Sequence, residues 1–106
     1  MSKLCFVREV DGDLEISIEE MNNRDDFMSL AGLLQKDFGG QLTEKIIGPD
    51  AVVFRFEIDG KNFNLICDDF SGVEIRCRAD GPKARLLSFV NEIEATFQHL
   101  VRPVGS

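Results

Sequence analysis

The chain has 106 residues, a formal net charge of −7, and 29% charged against 43% hydrophobic residues. This length and balance are typical of one folded domain over residues 1–106 and exclude an intrinsically disordered chain. The negative charge disfavours binding to nucleic acid and to anionic membranes and favours a basic partner.

The cysteines and the apolar segments indicate the compartment. Cys5, Cys67 and Cys77 are odd in number, form no Cys-x-x-Cys pair, and each lies within an apolar strand pattern. Such cysteines suit a reducing compartment. Charges at the N-terminus precede any apolar run, and no apolar stretch approaches the ~18 residues of a membrane span. We therefore expect a cytoplasmic protein that does not cross a membrane.

A hairpin followed by a helix opens the chain. Residues 3–10 and 14–19 alternate in polarity on either side of an Asp-Gly-Asp turn, which predicts two antiparallel strands. The next segment has one apolar stripe at helical spacing, as expected for a helix packed on a sheet. Asn22 or Asn23 can cap the beginning of this helix, and Gly39-Gly40 is expected to end it.

Four strands follow the first helix, and one of their turns gives the clearest hairpin signal in the chain. Asp59-Gly60 separates two runs of alternating polarity, as in a type I′ turn, which needs positive φ at both positions. A second connection, of five residues, is expected at 68–72. The four strands are predicted at residues 41–47, 51–58, 61–67 and 73–78.

A second helix completes the predicted fold. Gly81-Pro82 opens it, with Asp80 as the expected cap, and its apolar stripe continues to near Val101. The order is ββαββββα, and short hairpin connections favour an α+β fold with a mainly antiparallel sheet and both helices on one face. The nine phenylalanines, in a chain without Trp or Tyr, are expected to fill the core between these layers.

The residues that catalysis or metal binding would need do not form a recognisable pattern. The single histidine, His99, has apolar neighbours, which favours a packed residue over a catalytic base. The acids from Asp11 onwards fail as an EF-hand loop, because Ile16 and Asn22 occupy its glycine and glutamate positions. No phosphate-binding loop occurs. We therefore expect no enzymatic activity, no catalytic residue, no metal site and no cofactor.

Arginines on the outer face of the sheet are interpreted as partners of acidic residues. Arg55, Arg76 and Arg78 alternate with buried positions in neighbouring strands, so their side chains are expected close together. Glu57 and Glu74 lie between them, and this mixture favours cross-strand ion pairs. A nucleic-acid site would need a basic face with aromatic residues instead.

Two acidic features are the candidate binding surfaces. Asp68 and Asp69 flank Phe70 in a hairpin loop, so this ring is a candidate anchor for a basic partner. A loop phenylalanine more commonly folds back onto the edge of the core. Glu15 and Glu19 lie on the outer face of the first hairpin and can steer a cationic protein, although such faces are more commonly only solvated. These five residues are our candidate partner contacts.

The central hairpin also carries a family resemblance. The segment from Asp59-Gly60-Lys61 to Leu65, followed by Asp68-Asp69-Phe70-Ser71-Gly72-Val73-Glu74-Ile75, resembles small acidic bacterial proteins. These include immunity proteins that neutralise toxins of contact-dependent growth inhibition systems. The resemblance covers about the middle third of the chain. It implies a non-enzymatic protein that binds and blocks a toxin domain, often a basic nuclease.

Three functional hypotheses follow, and an immunity or antitoxin protein that occludes a basic toxin domain is the first. The second is a housekeeping or regulatory domain that forms a homodimer through its sheet, where Ala51, Val53 and Ile66 make the outer face partly apolar. The third is a small-ligand binder with a pocket between helices and sheet.

Overall fold

Residues 4–98 are described by a computed structural model and contain six strands and two helices. In chain order the elements are β1 Cys5–Val10, β2 Asp13–Ile18, α1 Arg24–Lys36, β3 Gln41–Ile47, β4 Ala51–Ile58, β5 Lys61–Asp68, β6 Gly72–Cys77 and α2 Lys83–Thr96. The strands form one sheet in the order β1-β2-β6-β5-β4-β3, and every neighbouring pair is antiparallel. The predicted α+β class and the order ββαββββα are confirmed.

The core lies between the two helices and the inner face of the sheet. Alternate residues of the inner strands point into it, and aromatic rings join its layers. Phe27 of α1 meets Phe54 of β4 edge-on at 4.8 Å, and Phe56 stacks on Phe63 of β5 at 5.5 Å between ring centroids. No polar or charged residue among residues 4–98 is fully buried. Polar recognition must therefore use the loops, the strand edges or the open face of the sheet.

The first helix begins where its sequence predicts. Asn23 caps it, because the side-chain carbonyl of Asn23 accepts a hydrogen bond of 2.8 Å from the N–H of Asp26. The helix ends at Lys36, three residues before the glycine pair that was expected to end it. Gly39 then takes a φ of +74° and turns the chain toward β3.

The second helix differs from its prediction at both ends. Pro82, not Asp80, occupies the N-cap position, and no side chain caps the helix there. The helix ends at Thr96 instead of near Val101, because Phe97 leaves the helical conformation and its ring packs into the core. Val101 lies outside the described residues, as does His99.

The turns agree with prediction except for one. Asp59-Gly60 has positive φ at both positions, as the type I′ turn requires. The predicted five-residue connection at 68–72 is shorter, because Asp68 still pairs with Gly72 and only residues 69–71 join the strands. The extra pair extends β5 and β6 by one residue each and fixes the turn more tightly than a free loop.

Two phenylalanines do not join the core, contrary to the prediction. The side chain of Phe6 is 57% exposed and that of Phe70 is 90% exposed. Phe6 points to the open face of β1, an edge strand, while Phe70 lies at the turn between β5 and β6. Neither side chain therefore contributes to the core between the helices and the sheet.

Candidate functional site

Three loops meet at one end of the sheet. The N–H of Asp69 donates to the carbonyl of Asp50 at 3.0 Å, which joins the β5–β6 turn to the β3–β4 turn. The N–H of Val73 donates to the carbonyl of Met21 at 3.1 Å, which joins β6 to the β2–α1 loop. We call this end, residues 19–26, 47–50 and 68–72, the acidic tip.

The acidic tip holds most of the net charge of the chain. It contains seven acidic residues and one basic residue, Arg24, a net of −6 against −7 for the whole chain. The guanidinium of Arg24 donates to the carbonyl of Gly48 at 3.4 Å and forms no ion pair with a described residue. The acidic residues are Glu19, Glu20, Asp25, Asp26, Asp50, Asp68 and Asp69. Such a concentration of one sign attracts a cationic protein.

Phe70 stands at the centre of this end on a fixed turn. One carboxylate oxygen of Asp68 accepts the N–H groups of Phe70 at 2.7 Å and of Ser71 at 3.1 Å. Gly72 closes the turn with a φ of +80°, where any Cβ would lie 3.0 Å from the carbonyl oxygen of Met21. The ring is held outward, so the commoner conformation, in which it folds back onto the core, is not adopted.

Four of the five predicted contact residues come together at the acidic tip. Ile18 pairs with Val73 and Asp68 pairs with Gly72, so Glu19 and Asp68 flank Gly72 in one row of the open face. Asp69 and Phe70 follow in the turn itself. The register therefore places Glu19, Asp68, Asp69 and Phe70 in one surface.

Glu15 lies apart from that surface, in the middle of the open face. It pairs across the sheet with Arg8 and Arg76, and a hydrogen bond from Arg8 lowers the pKa of its carboxyl group. Its charge is neutralised within the chain. Glu15 therefore contributes less to the negative field at the tip than its prediction as a partner contact implies.

Sequence reasoning overlooked the β3–β4 turn as part of the site. Asp50 adds a carboxylate to the tip, and Ile47, 69% exposed, adds a second apolar side chain. A signal was available, since alternate turns of an antiparallel meander return to the same end of the sheet. The β3–β4 and β5–β6 turns must therefore be neighbours.

The open face carries charges of both signs. The predicted cross-strand pairs with Glu57 and Glu74 are not formed: Arg76 pairs at 2.7 Å with Glu74 of its own strand, and Arg55 pairs across to Glu44 of β3 at 3.3 Å. A shallow groove of about 790 Å³ runs over these residues, on the side of the sheet away from the helices. Exposed ion pairs of this kind contribute about 0–1 kcal/mol each, and their balance gives the face little net field.

The thiols are held in the protonated form. Burial, followed by the charge and hydrogen bond of Glu94, raises the pKa of Cys5 to about 12. Burial also raises the pKa of Cys67 and Cys77, and all three cysteines are free. Cys67 faces Val73 and Cys77 faces Leu14, so these two cysteines are not opposite each other. Thiols of this kind are poor nucleophiles and poor metal ligands.

Within residues 4–98, no three side chains of His, Cys, Asp or Glu are arranged to hold a metal ion, and neither helix is long and apolar enough to cross a membrane. No protein-family model matches the chain, and neither a curated protein nor a solved structure matches it.

Proposed function

We propose that the chain is a non-enzymatic, cytoplasmic protein-binding module whose acidic tip binds and occludes a basic protein. Its most concrete form is an immunity or antitoxin protein that neutralises a toxin domain. The observation that carries the proposal is Phe70, which is 90% exposed on a fixed turn at the centre of a surface with a net charge of −6.

The two parts of this surface have different roles in binding. The carboxylates accelerate association with a basic protein and orient it, and this contribution weakens as salt is added. Phe70 supplies the apolar contact, and aromatic residues buried at the centre of an interface commonly contribute about 2 kcal/mol or more. Because Asp68 already fixes the turn, little conformational entropy is lost when the ring is buried.

Affinity capture with matched variants tests the role of the ring. Tagged wild type, Phe70→Ala and Leu87→Ala serve as baits in a lysate of the native cell, with a salt wash and quantification by mass spectrometry. Leu87 is 40% exposed on α2, away from the tip, and controls for the loss of an exposed apolar side chain. We expect one basic protein near stoichiometry with the wild type and the control, reduced at least tenfold with Phe70→Ala.

A second pair of baits tests the charge. Glu20→Lys with Asp69→Lys changes the tip, while Asp37→Lys with Glu92→Lys makes the same change in net charge elsewhere on exposed residues. We expect the tip pair to lose the partner and the control pair to keep it. Equal capture by both pairs would show that overall charge, and not the tip, governs binding.

The immunity hypothesis adds a requirement on the captured protein. Its gene, expressed alone, should arrest growth, and co-expression of the wild-type chain should restore it. The Phe70→Ala chain should restore growth poorly at equal abundance. A captured protein that is harmless on its own would leave a binding module and reject neutralisation of a toxin.

A further inference from the structure

The two edges of the sheet are built differently. In β3 a bulge interrupts the pairing with β4 at Thr43, and Lys45 lies over the ring of Phe54 at 5.3 Å. Bulges and lysines are devices that keep an edge from pairing with another strand. The pairs of β1 with β2 are unbroken, and three apolar side chains of β1 are exposed: Phe6 57%, Val7 45% and Val10 45%.

The register fixes which backbone groups of β1 point outward. Asp11-Gly12 forms a two-residue turn with positive φ, so the closing pair of Val10 and Asp13 exchanges hydrogen bonds. Bonded and non-bonded pairs alternate from there, which turns the N–H and C=O groups of Val7 and Glu9 away from β2. The N–H of Glu19 donates to the carbonyl of Leu4 at 2.8 Å, which agrees with this phase.

Helix α2 closes the beginning of the same edge. The carboxylate of Glu94 accepts the N–H groups of Leu4 at 3.0 Å and of Cys5 at 2.9 Å. Beyond Cys5 the outward groups of Val7 and Glu9 have no partner among the described residues. The open part of the edge is therefore short and lies between Val7 and Val10.

We propose that two copies of this chain pair antiparallel through β1, about a two-fold axis at Arg8, to form one continuous twelve-stranded sheet. Val7 of each copy then lies opposite Glu9 of the other, and the two pairs exchange four backbone hydrogen bonds. On the open face, Phe6 of each copy packs against Val10 of the other. The pairing thus satisfies the outward backbone groups and covers two of the three exposed apolar side chains.

The neighbouring registers are less favourable. A two-fold axis that keeps the helices on one side of the joint sheet must pass through a residue pair that is identical in both copies. An axis at Val7 would bring Glu9 of the second copy to Cys5, where Glu94 already binds, and an axis at Glu9 would oppose two carboxylates. An axis at Arg8 opposes two guanidinium groups, but Glu15 neutralises each of them.

The dimer extends the proposed function without depending on it. A two-fold axis reverses the direction of β1, so the two acidic tips point to opposite ends of the joint sheet. Phe70 lies in the turn between β5 and β6, beyond β2 from the shared edge. Each tip stays accessible, and the dimer presents two binding surfaces.

Light scattering coupled to size exclusion tests the dimer, with Val7→Pro as the decisive variant. Wild type should have twice the chain mass of 11.9 kDa at high micromolar concentration. Proline at residue 7 removes an outward N–H and leaves the bonds to β2 intact, so the variant should remain folded by circular dichroism and be monomeric. A monomeric wild type, or a folded and dimeric Val7→Pro, would overturn the proposal.

Cysteine crosslinking gives an independent answer if Val7→Pro does not fold. Arg8 lies on the axis as a directly opposed, non-hydrogen-bonded pair, with Cα atoms about 4.5 Å apart, within the range of a disulfide. Arg8→Cys should therefore form a covalent dimer under mild oxidation, while Glu44→Cys on the opposite edge should not. The three native cysteines are buried and serve as an internal background. Equal crosslinking of the two variants, or none with Arg8→Cys, would reject the β1 interface.

Discussion

The two ends of the sheet contain similar turns but differ in net charge. At the end opposite the acidic tip, residues 11–13, 36–40, 59–61 and 78–85 carry five acidic and five basic residues, a net charge of zero. Both ends contain tight turns with positive φ and hydrogen-bonded loops. Because the balanced end forms the same kinds of turn without an excess of acids, the seven acids against one base at the tip are not required by its turns.

The aromatic residues at the two ends differ in the same way. At the balanced end, the guanidinium of Arg85 lies 4.9 Å from the ring of Phe38 and donates to its carbonyl at 3.0 Å. Phe38 also contacts Phe89 at 4.6 Å between centroids. At the tip, Phe70 is 90% exposed. An arginine of a basic partner would give Phe70 the contact that Arg85 gives Phe38 within the chain.

The largest expected difference between the ends concerns their glycines. Gly72 at the tip and Gly60 at the balanced end have φ values of +80° and +77°. A Cβ at Gly72 would also lie 3.0 Å from the carbonyl oxygen of Met21, whereas Gly60 has open space around it. We expect Gly72→Ala to lower the free energy of unfolding by about 3 kcal/mol and Gly60→Ala by about 1 kcal/mol. Urea unfolding of both variants measures the difference, and equal losses would show that the β2–α1 loop does not constrain the tip.

More of the fold than of the candidate site could be predicted from the sequence. The alternation of polar and apolar residues in runs such as 51–58 depends only on local geometry, so all six strands were predicted within two residues at each end. The assembly of the acidic tip depends on contacts between distant loops, because the bond from Asp69 to Asp50 joins two turns. A pattern within one segment does not contain such a contact, so Phe70 was predicted as a candidate anchor, with a ring folded back onto the core as the commoner alternative, and Asp50 was not predicted as part of the site.

The end of α2 shows the same limit on a smaller scale. Its apolar stripe continues past residue 96, so periodicity alone extends the helix. The helix ends at Thr96, where Phe97 leaves the helical conformation and its ring is buried in the core. The hydrogen bond that the carboxylate of Glu94 in α2 accepts from the N–H of Leu4, beside β1, likewise depends on the relative position of distant elements.

An intermediate effect is expected from the cysteines under alkaline conditions. Burial and Glu94 raise the pKa of Cys5, at the same end of the sheet as the tip, from 9.0 to about 12. A backbone hydrogen bond with Leu14, and then Lys83, offset part of the rise in the pKa of Cys77 near the balanced end. A raised pKa favours the protonated fold, so this stability is complete below pH 9 and is lost as the pH rises from 9 toward 12. At pH 10 the free energy of unfolding should be lower than at neutral pH by on the order of 1 kcal/mol because of Cys5.

Urea unfolding between about pH 8 and pH 10.5 measures this loss. Cys5→Ala should make the decline with pH shallower, and Cys77→Ala should do so less. A larger effect of Cys77→Ala would contradict the role assigned to Glu94, which lies beside Cys5 alone among the three thiols.

The smallest expected effect is on the free energy of unfolding when acidic residues at the two ends are neutralised, and its sign should differ between the ends. Glu20→Gln with Asp69→Asn removes two charges from the acidic tip, where like charges repel, and should raise the free energy of unfolding by about 0.5 kcal/mol at low salt. Asp59→Asn at the balanced end keeps a residue suited to the turn but loses the ion pair with Arg85, 4.0 Å away, and should lower it by at most about 0.5 kcal/mol. Both differences should shrink with added salt, and a destabilised tip variant would mean that its carboxylates stabilise the fold.

The expected result, a gain in stability for the tip variant and a loss for Asp59→Asn, would mean that the tip retains charges which destabilise the isolated protein. Such charges are expected on a surface that binds a cationic partner, so the variant that gains stability should also be the one that loses the partner.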